Sequence, residues 1–374
     1  MTDSPIVLTG LGSVSAFGAH RGLLAPASVP LQVISRWPTR GPRRARLVPA
    51  FRAGDVVPGL KTRRMDRLSA WALVAASLAL EDARFEPGSS ADRRRTAVVL
   101  GTTFGCLDVT EEFLLSISRH GPAMADPILF PETLSNLPAG HVARHFGLRG
   151  PNVTLSCGGL SAEAALGEAV GQLRLGEADV AVVMAGDLLS RVLFEWYEAA
   201  SLLAPDCFDA PRRHARGRAF VPGEGLGAVV IETAECAVAR GVTPYAEIHA
   251  LQLEQVCDRR PGFAGSGNTA DGIWRAALSG IDSARLRLVA RMREPAAGAG
   301  PRQDSLTQVL SPATFDTCTV SPLTGEFWSI GLVGLALALG HVSAGTSGVV
   351  LALSTDPGGA RSTLALLLDG GRQR

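Results

Sequence analysis

Cys157 lies in the stretch PNVTLSCGGLSAEAALGEAVGQLRLGEADVAVVMAGD, residues 151–187, whose residue types suit a thiol presented at a sharp turn. Residues 153–155 form a short β-prone run, and Gly158 and Gly159 let the backbone turn tightly after it. The alanine-rich segment 161–175 has strong helix propensity, Gly176 stops it, and 180–184 is the apolar run of a buried strand. A thiol where strand meets helix faces the positive end of the helix dipole, which favours thiolate, the nucleophilic form. Free cysteines are also among the most buried residues, and most of them simply pack. Local sequence leaves both readings of Cys157 open.

Other chemistry-bearing residues are sparser. His141 and His145 stand four apart on a predicted helix, a spacing that puts two metal ligands on one face. No third ligand is apparent, so they are expected to be helix-surface histidines. Residues 6–8 predict a strand running into a glycine turn at Thr9–Gly12. Without a GxGxxG or Walker pattern, that turn is read as packing. Six scattered cysteines without paired or metal-like spacing, and no opening signal segment, point to a reducing cytoplasm and to no metal or cofactor. A net charge of +1 gives no bulk attraction to nucleic acid or membrane, and the apolar stretch 330–339 is too short to span a bilayer. The 374 residues, 46% hydrophobic, suit two ordinary domains or one large layered one. Arg40, Arg43, Arg44 and Arg46, inside the proline-rich stretch 20–62, read as a solvated loop or as a docking face for an acidic carrier protein.

With its turn of Arg174, Gly176, Glu177 and Asp179, the Cys157 stretch resembles the nucleophile elbow of the β-ketoacyl-acyl carrier protein synthases, the condensing enzymes of the thiolase fold. The opening run IVLTGLGSVSAFG, the helix RRMDRLSAWALVAASLALEDA (63–83) and the segment LFPETLSNLPAGHVARHFGLRG (129–150) are similar to the same family. So is CFDAPRRHARGRAFVPGEGLGAVVIE, through Phe208, Asp209, Arg212, Phe220, Gly223, Glu224, Gly225 and Gly227, with Glu224 expected to be structural. The resemblance runs from Ile6 to about Leu368 and implies an α/β, thiolase-like layered α-β-α-β-α fold with two pseudo-symmetric halves. Residues 1–235 would be the half carrying the nucleophile elbow, and 236–374 the second ketosynthase-like half, in which 318–353 echoes 153–186.

Against that family the chain departs at the catalytic turns. Condensation uses two histidines to stabilise a thioester enolate, and no histidine lies between His249 and His341. Arg291 falls in the neighbourhood of the first; in SPLTGEF, Ser321 stands at the family lysine, Gly325 at its glycine and Glu326 at the second histidine. A carboxylate there opposes a developing enolate. The family's oxyanion turn corresponds to Asp356, Pro357, Gly358 and Gly359, where proline supplies no N–H.

The resemblance therefore implies a chain-length-factor-like, non-condensing subunit. It would bind a catalytic ketosynthase as a heterodimer, or itself as a homodimer, and serve an acyl carrier protein in polyketide or fatty-acyl biosynthesis. Residues 180–184 would lie at the dimer centre, and 104–140 would contribute to the acyl tunnel. Chain-length factors usually lack the cysteine that this chain keeps. The alternative is a Cys157-dependent acyltransferase using acyl-carrier or coenzyme A thioesters, with Glu326 the one nameable base. A condensing β-ketoacyl synthase is the third reading.

Overall fold

The computed structural model describes residues 4–370, apart from 40, 61, 63–64, 89, 208–218, 256–272, 274–275, 294–314, 343 and 356–359. Its strands are β1 (Ile6–Ser15), β2 (Gly18–Arg21), β3 (Gln32–Val33), β4 (Arg44–Ala45), β5 (Thr96–Gly101), β6 (Asn152–Leu155) and β7 (Val180–Asp187), followed by β8 (Gly225–Thr233), β9 (Ala246–Gln255), β10 (Leu286–Arg291), β11 (Asp316–Thr319), β12 (Ser347–Thr355) and β13 (Ala360–Asp369). The principal helices are α1 (Arg67–Asp82), α2 (Leu107–His120), α3 (Leu137–Phe146), α4 (Ser161–Leu175), α5 (Arg191–Ala199) and α6 (Gly331–His341).

One sheet path runs β11-β10-β12-β13-β9-β1-β8-β7-β5-β6. The two ends mirror each other. β5 pairs in parallel with β6 and β7, and β10 in parallel with β11 and β12. The antiparallel pairs β7–β8 and β8–β1 on one side match β12–β13 and β13–β9 on the other. The mirrored sets meet at Val7 opposite Glu247 and Leu8 opposite Ala246. This is the two-half α/β architecture the sequence predicts.

Alternation along the strands explains the layers, because successive side chains point to opposite faces. Ala97 and Val99 of β5, with Ala181 and Val183 of β7, join the core around α4 and α6. Val98, Leu100, Val182 and Met184 join the core around α1 and α3. The apolar α6, which carries no charged residue before its terminal His341, is buried along Leu332–Leu339, as a middle-layer helix must be.

Several expectations change. β1 does not break at a glycine turn but runs through Gly10 and Gly12. A Cβ would lie 2.2 Å from the Ala79 carbonyl oxygen at Gly10 and 2.3 Å from that of Ala75 at Gly12, so these glycines let α1 lie flat on the strand. The packing reading stands and the turn does not. α1 starts at Arg67, set by the Asp66 carboxylate accepting from the Ser69 N–H at 3.1 Å. Its predicted start at Arg63 falls outside the described residues.

β7 cannot centre a dimer interface, because β5 and β8 flank it and every residue is buried. The strand at this end of the sheet is β6, immediately before Cys157. His141 is no surface residue: it is buried, with Nδ1 2.8 Å from Arg144 Nη2 and Nε2 3.3 Å from Glu132 Oε1, while His145 is exposed. Nor is the arginine run a wholly solvated loop. Arg43 is buried and its Nη2 pairs with Glu198 Oε1 at 2.7 Å, and Arg44 lies in β4; Arg40 lies outside the described residues. Among the described residues, no helix is long and apolar enough to cross a membrane.

Candidate active site

Cys157 follows β6 by two residues and opens a single turn of 3₁₀ helix, Gly158–Leu160, that feeds α4. Gly158 takes φ +56°, which its missing side chain permits. Two hydroxyls and one backbone N–H hold the turn. The Cys157 N–H donates to Ser161 Oγ at 3.0 Å, and the hydroxyls of Ser161 and Thr103 donate to the Gly158 carbonyl at 2.7 and 2.8 Å. Cys157 is exposed, whereas Gly159 and Leu160 are buried. The predicted elbow therefore exists, with the cysteine on its outer side and Gly159 within.

The second turn, SPLTGEFWS, reaches the same place from the other half. Ser321–Thr324 is a short helix, and Gly325 takes φ +74° with its backbone pressed against Gly223; a Cβ would sit 2.7 Å from the Gly223 Cα. Glu326 bridges to the segment before β8 through its backbone, its N–H donating to the Val221 carbonyl at 2.8 Å and its carbonyl accepting from the Gly223 N–H at 2.9 Å. The residue is 8% exposed, with Oε1 3.9 Å from Arg293 Nε.

Arg293 was not singled out by the sequence; Arg291 was. Arg291 ends β10, half-buried, and burial lowers its pKa. Two residues later Arg293 is 6% exposed and reaches three turns. Its Nη1 donates to the Gly159 carbonyl at 3.3 Å and the Thr355 carbonyl at 2.9 Å, and its Nη2 to the carbonyls of Phe327, at 3.2 Å, and Trp328. The signal that could have found it is position: sites in α/β sheets form beyond the carboxyl ends of parallel strands, and Arg293 lies just past β10. Gly358 and Gly359, with Asp356 and Pro357, lie outside the described residues; Thr355, just before them, is at the site.

Two further carboxylates escaped the sequence reading. Asp187, at the end of β7, accepts at Oδ1 from the Thr102 hydroxyl (2.9 Å) and the N–H groups of Thr103 (2.8 Å) and Phe104 (3.0 Å), and at Oδ2 from the Ser329 N–H (2.9 Å). It thus clamps the loop after β5 to the SPLTGEFWS turn. Burial pushes its carboxyl up, and the four hydrogen bonds work against that. Glu163, in the first turn of α4, accepts from the Ser354 hydroxyl and is also pushed up by burial, with Arg293 opposing. Above the clamp, Phe104 packs edge-on to Trp328 at 5.8 Å, and the Trp328 indole N–H donates to the Tyr197 oxygen at 3.0 Å. Glu224, fully buried, accepts from the Val48 and Leu189 N–H groups and pairs with Arg36, which is the structural role expected.

Residues 44–237 match the family model for the beta-ketoacyl synthase N-terminal domain. The chain belongs to the β-ketoacyl synthase family. A 3-oxoacyl-[acyl-carrier-protein] synthase 2 of Rhizobium meliloti (strain 1021) is 33% identical over 204 residues, 53% of this chain and 48% of that protein. The chain therefore spans about half the length of that relative. The solved ishigamide ketosynthase/chain length factor superposes with a TM-score of 0.75 at 24% identity, covering 97% of this chain and 99% of that one. The AntDE:AntF complex, a type II PKS acyl-carrier protein with its ketosynthase bound to the hexaketide, gives 0.77 at 18% identity, covering 98% and 100%. At these identities the structural likeness shows the thiolase fold of the family. Among the described residues, no cluster of three or more metal-ligating side chains is present.

Proposed function

We propose that the chain is a non-condensing, chain-length-factor-like subunit that works beside a catalytic ketosynthase in fatty-acyl or polyketide assembly on an acyl carrier protein. One observation carries this reading: where the three turns converge, the elbow contributes Gly159, which has no side chain, while Cys157 is exposed on the outside. Condensation needs a thiolate and enolate-stabilising donors facing one another. Among the described residues, Arg293, two residues past Arg291, faces Glu326 with Nε 3.9 Å from Oε1, and residues 294–304 after it lie outside the described residues. The family histidines are taken to be missing rather than displaced.

A partner of the same fold is supported by the surface. β6 has a paired neighbour on one side only among the described residues, and Leu114, Met124, Ile128, Phe130 and Leu134 are exposed within 104–140. An open strand edge beside apolar side chains is what a second chain covers. Exposure of Cys157 supports the second reading as well, because an accessible thiol is available for exchange with an acyl thioester.

Intact mass after mixing the purified chain with acyl-carrier and acyl-coenzyme A thioesters, beside C157A, separates the two. No adduct across several acyl lengths is the outcome expected of the subunit. An adduct that C157A abolishes would move the assignment to acyl transfer.

A further inference from the structure

Arg293 supplies five N–H donors, and four of them are committed to backbone carbonyls: Gly159 and Thr355 through Nη1, Phe327 and Trp328 through Nη2. The fifth, on Nε, faces the Glu326 carboxylate at 3.9 Å. These acceptors belong to the elbow, the end of β12 and the SPLTGEFWS turn, so a single planar group joins all three. The residue is 6% exposed, and a guanidinium so enclosed must have its donors satisfied.

We propose that Arg293 is a positioning residue that closes this centre from within. Its guanidinium lies between the turns and spends four of its own five donors on their carbonyls, so those donors are not offered to a thioester oxygen. The proposal rests on the non-condensing reading and supplies a physical reason for it, since a cation whose donors are spent on the turns' own carbonyls is not available to stabilise an enolate. The recognition set is a ring of carbonyls with one carboxylate alongside, which selects a planar, forked cation over a compact ammonium.

The test is chemical rescue of R293A, read as the midpoint of thermal unfolding in millimolar guanidinium chloride against equal sodium chloride and equal ammonium chloride. R293A is expected to unfold several degrees below the parent, to recover part of that loss in guanidinium and to gain nothing from ammonium, while the parent is unmoved by any of the three salts. R293K, with three donors and no plane, is expected to stay near R293A. A guanidinium-insensitive R293A, or an R293K as stable as the parent, overturns the proposal.

Should R293A not fold, E326Q decides: a small loss is expected because the four carbonyl bonds remain, and a collapse as large as that of R293A would show that the ion pair, not the carbonyl ring, holds the group. Acyl loading of Cys157 and product formation are scored separately. They test the non-condensing reading whether or not guanidinium rescues the variant.

Discussion

The two halves of the sheet each carry a strand, a turn and a buried helix at the site, and the turns are held differently. After β6 part of the support is close in the chain: Ser161 Oγ donates to the Gly158 carbonyl and accepts from the Cys157 N–H, while Thr103 and Arg293 reach Gly158 and Gly159 from 55 and 134 residues away. After β11 the SPLTGEFWS turn relies on distant groups, the backbone at Val221–Gly223, the Asp187 carboxylate and Arg293. The first turn keeps part of its support within four residues, whereas Glu326, Phe327, Trp328 and Ser329 of the second are held by groups distant in the chain.

The sharpest way to break that contrast is D187A, which removes four accepted hydrogen bonds at once and unties the SPLTGEFWS turn from the loop after β5. A loss of about 3 kcal/mol or more is expected in urea unfolding, since each buried donor left unpaired costs roughly 1–3 kcal/mol. S161A tests the first turn. It removes one acceptor and one donor, and a loss of about 1–2 kcal/mol is expected.

E163Q sharpens the electrostatics. Burial raises the Glu163 carboxyl, so the folded state holds its proton to higher pH than the unfolded chain. Stability from this group is therefore present below the ordinary carboxylate range and lost as pH rises through the raised value. The glutamine still accepts from the Ser354 hydroxyl, so unfolding midpoints of E163Q measured from acid to neutral pH should decline less than those of the parent. A decline as steep as the parent's would assign the slope to another group, Asp187 first. The smallest effect belongs to C157A, where an exposed side chain predicts a change within about 0.5 kcal/mol.

Much of the fold was legible because it is locally encoded. Alanine and glycine mark α4 and its end at Gly176, which takes the left-handed φ of +73°, and the apolar run 180–184 marks a buried strand. What an element packs against was not legible. The same apolar run suggests an interface or a sheet interior equally well, and only strand pairing places β7 in the interior. Gly10 and Gly12 resemble a turn in sequence because the carbonyls of α1 that require them are some 65 residues away.

The site divides along the same line. Cys157 and Glu326 stand out by residue type and motif, whereas Arg293 and Asp187 matter through contacts 34 to 142 residues distant in the chain. Sequence also gave no sign that the elbow would turn Gly159 inward and leave Cys157 exposed.

The most direct measurement is product formation from malonyl- and acyl-carrier thioesters by the purified chain alone, by an intact ketosynthase alone and by the two together. A non-condensing subunit releases no carbon dioxide and forms no 3-oxoacyl product alone, and gives products of altered length or yield when the ketosynthase is present. Condensation by the chain alone would contradict that reading, and would mean that the centre around Gly159 and Arg293 opens in a way the structure does not suggest.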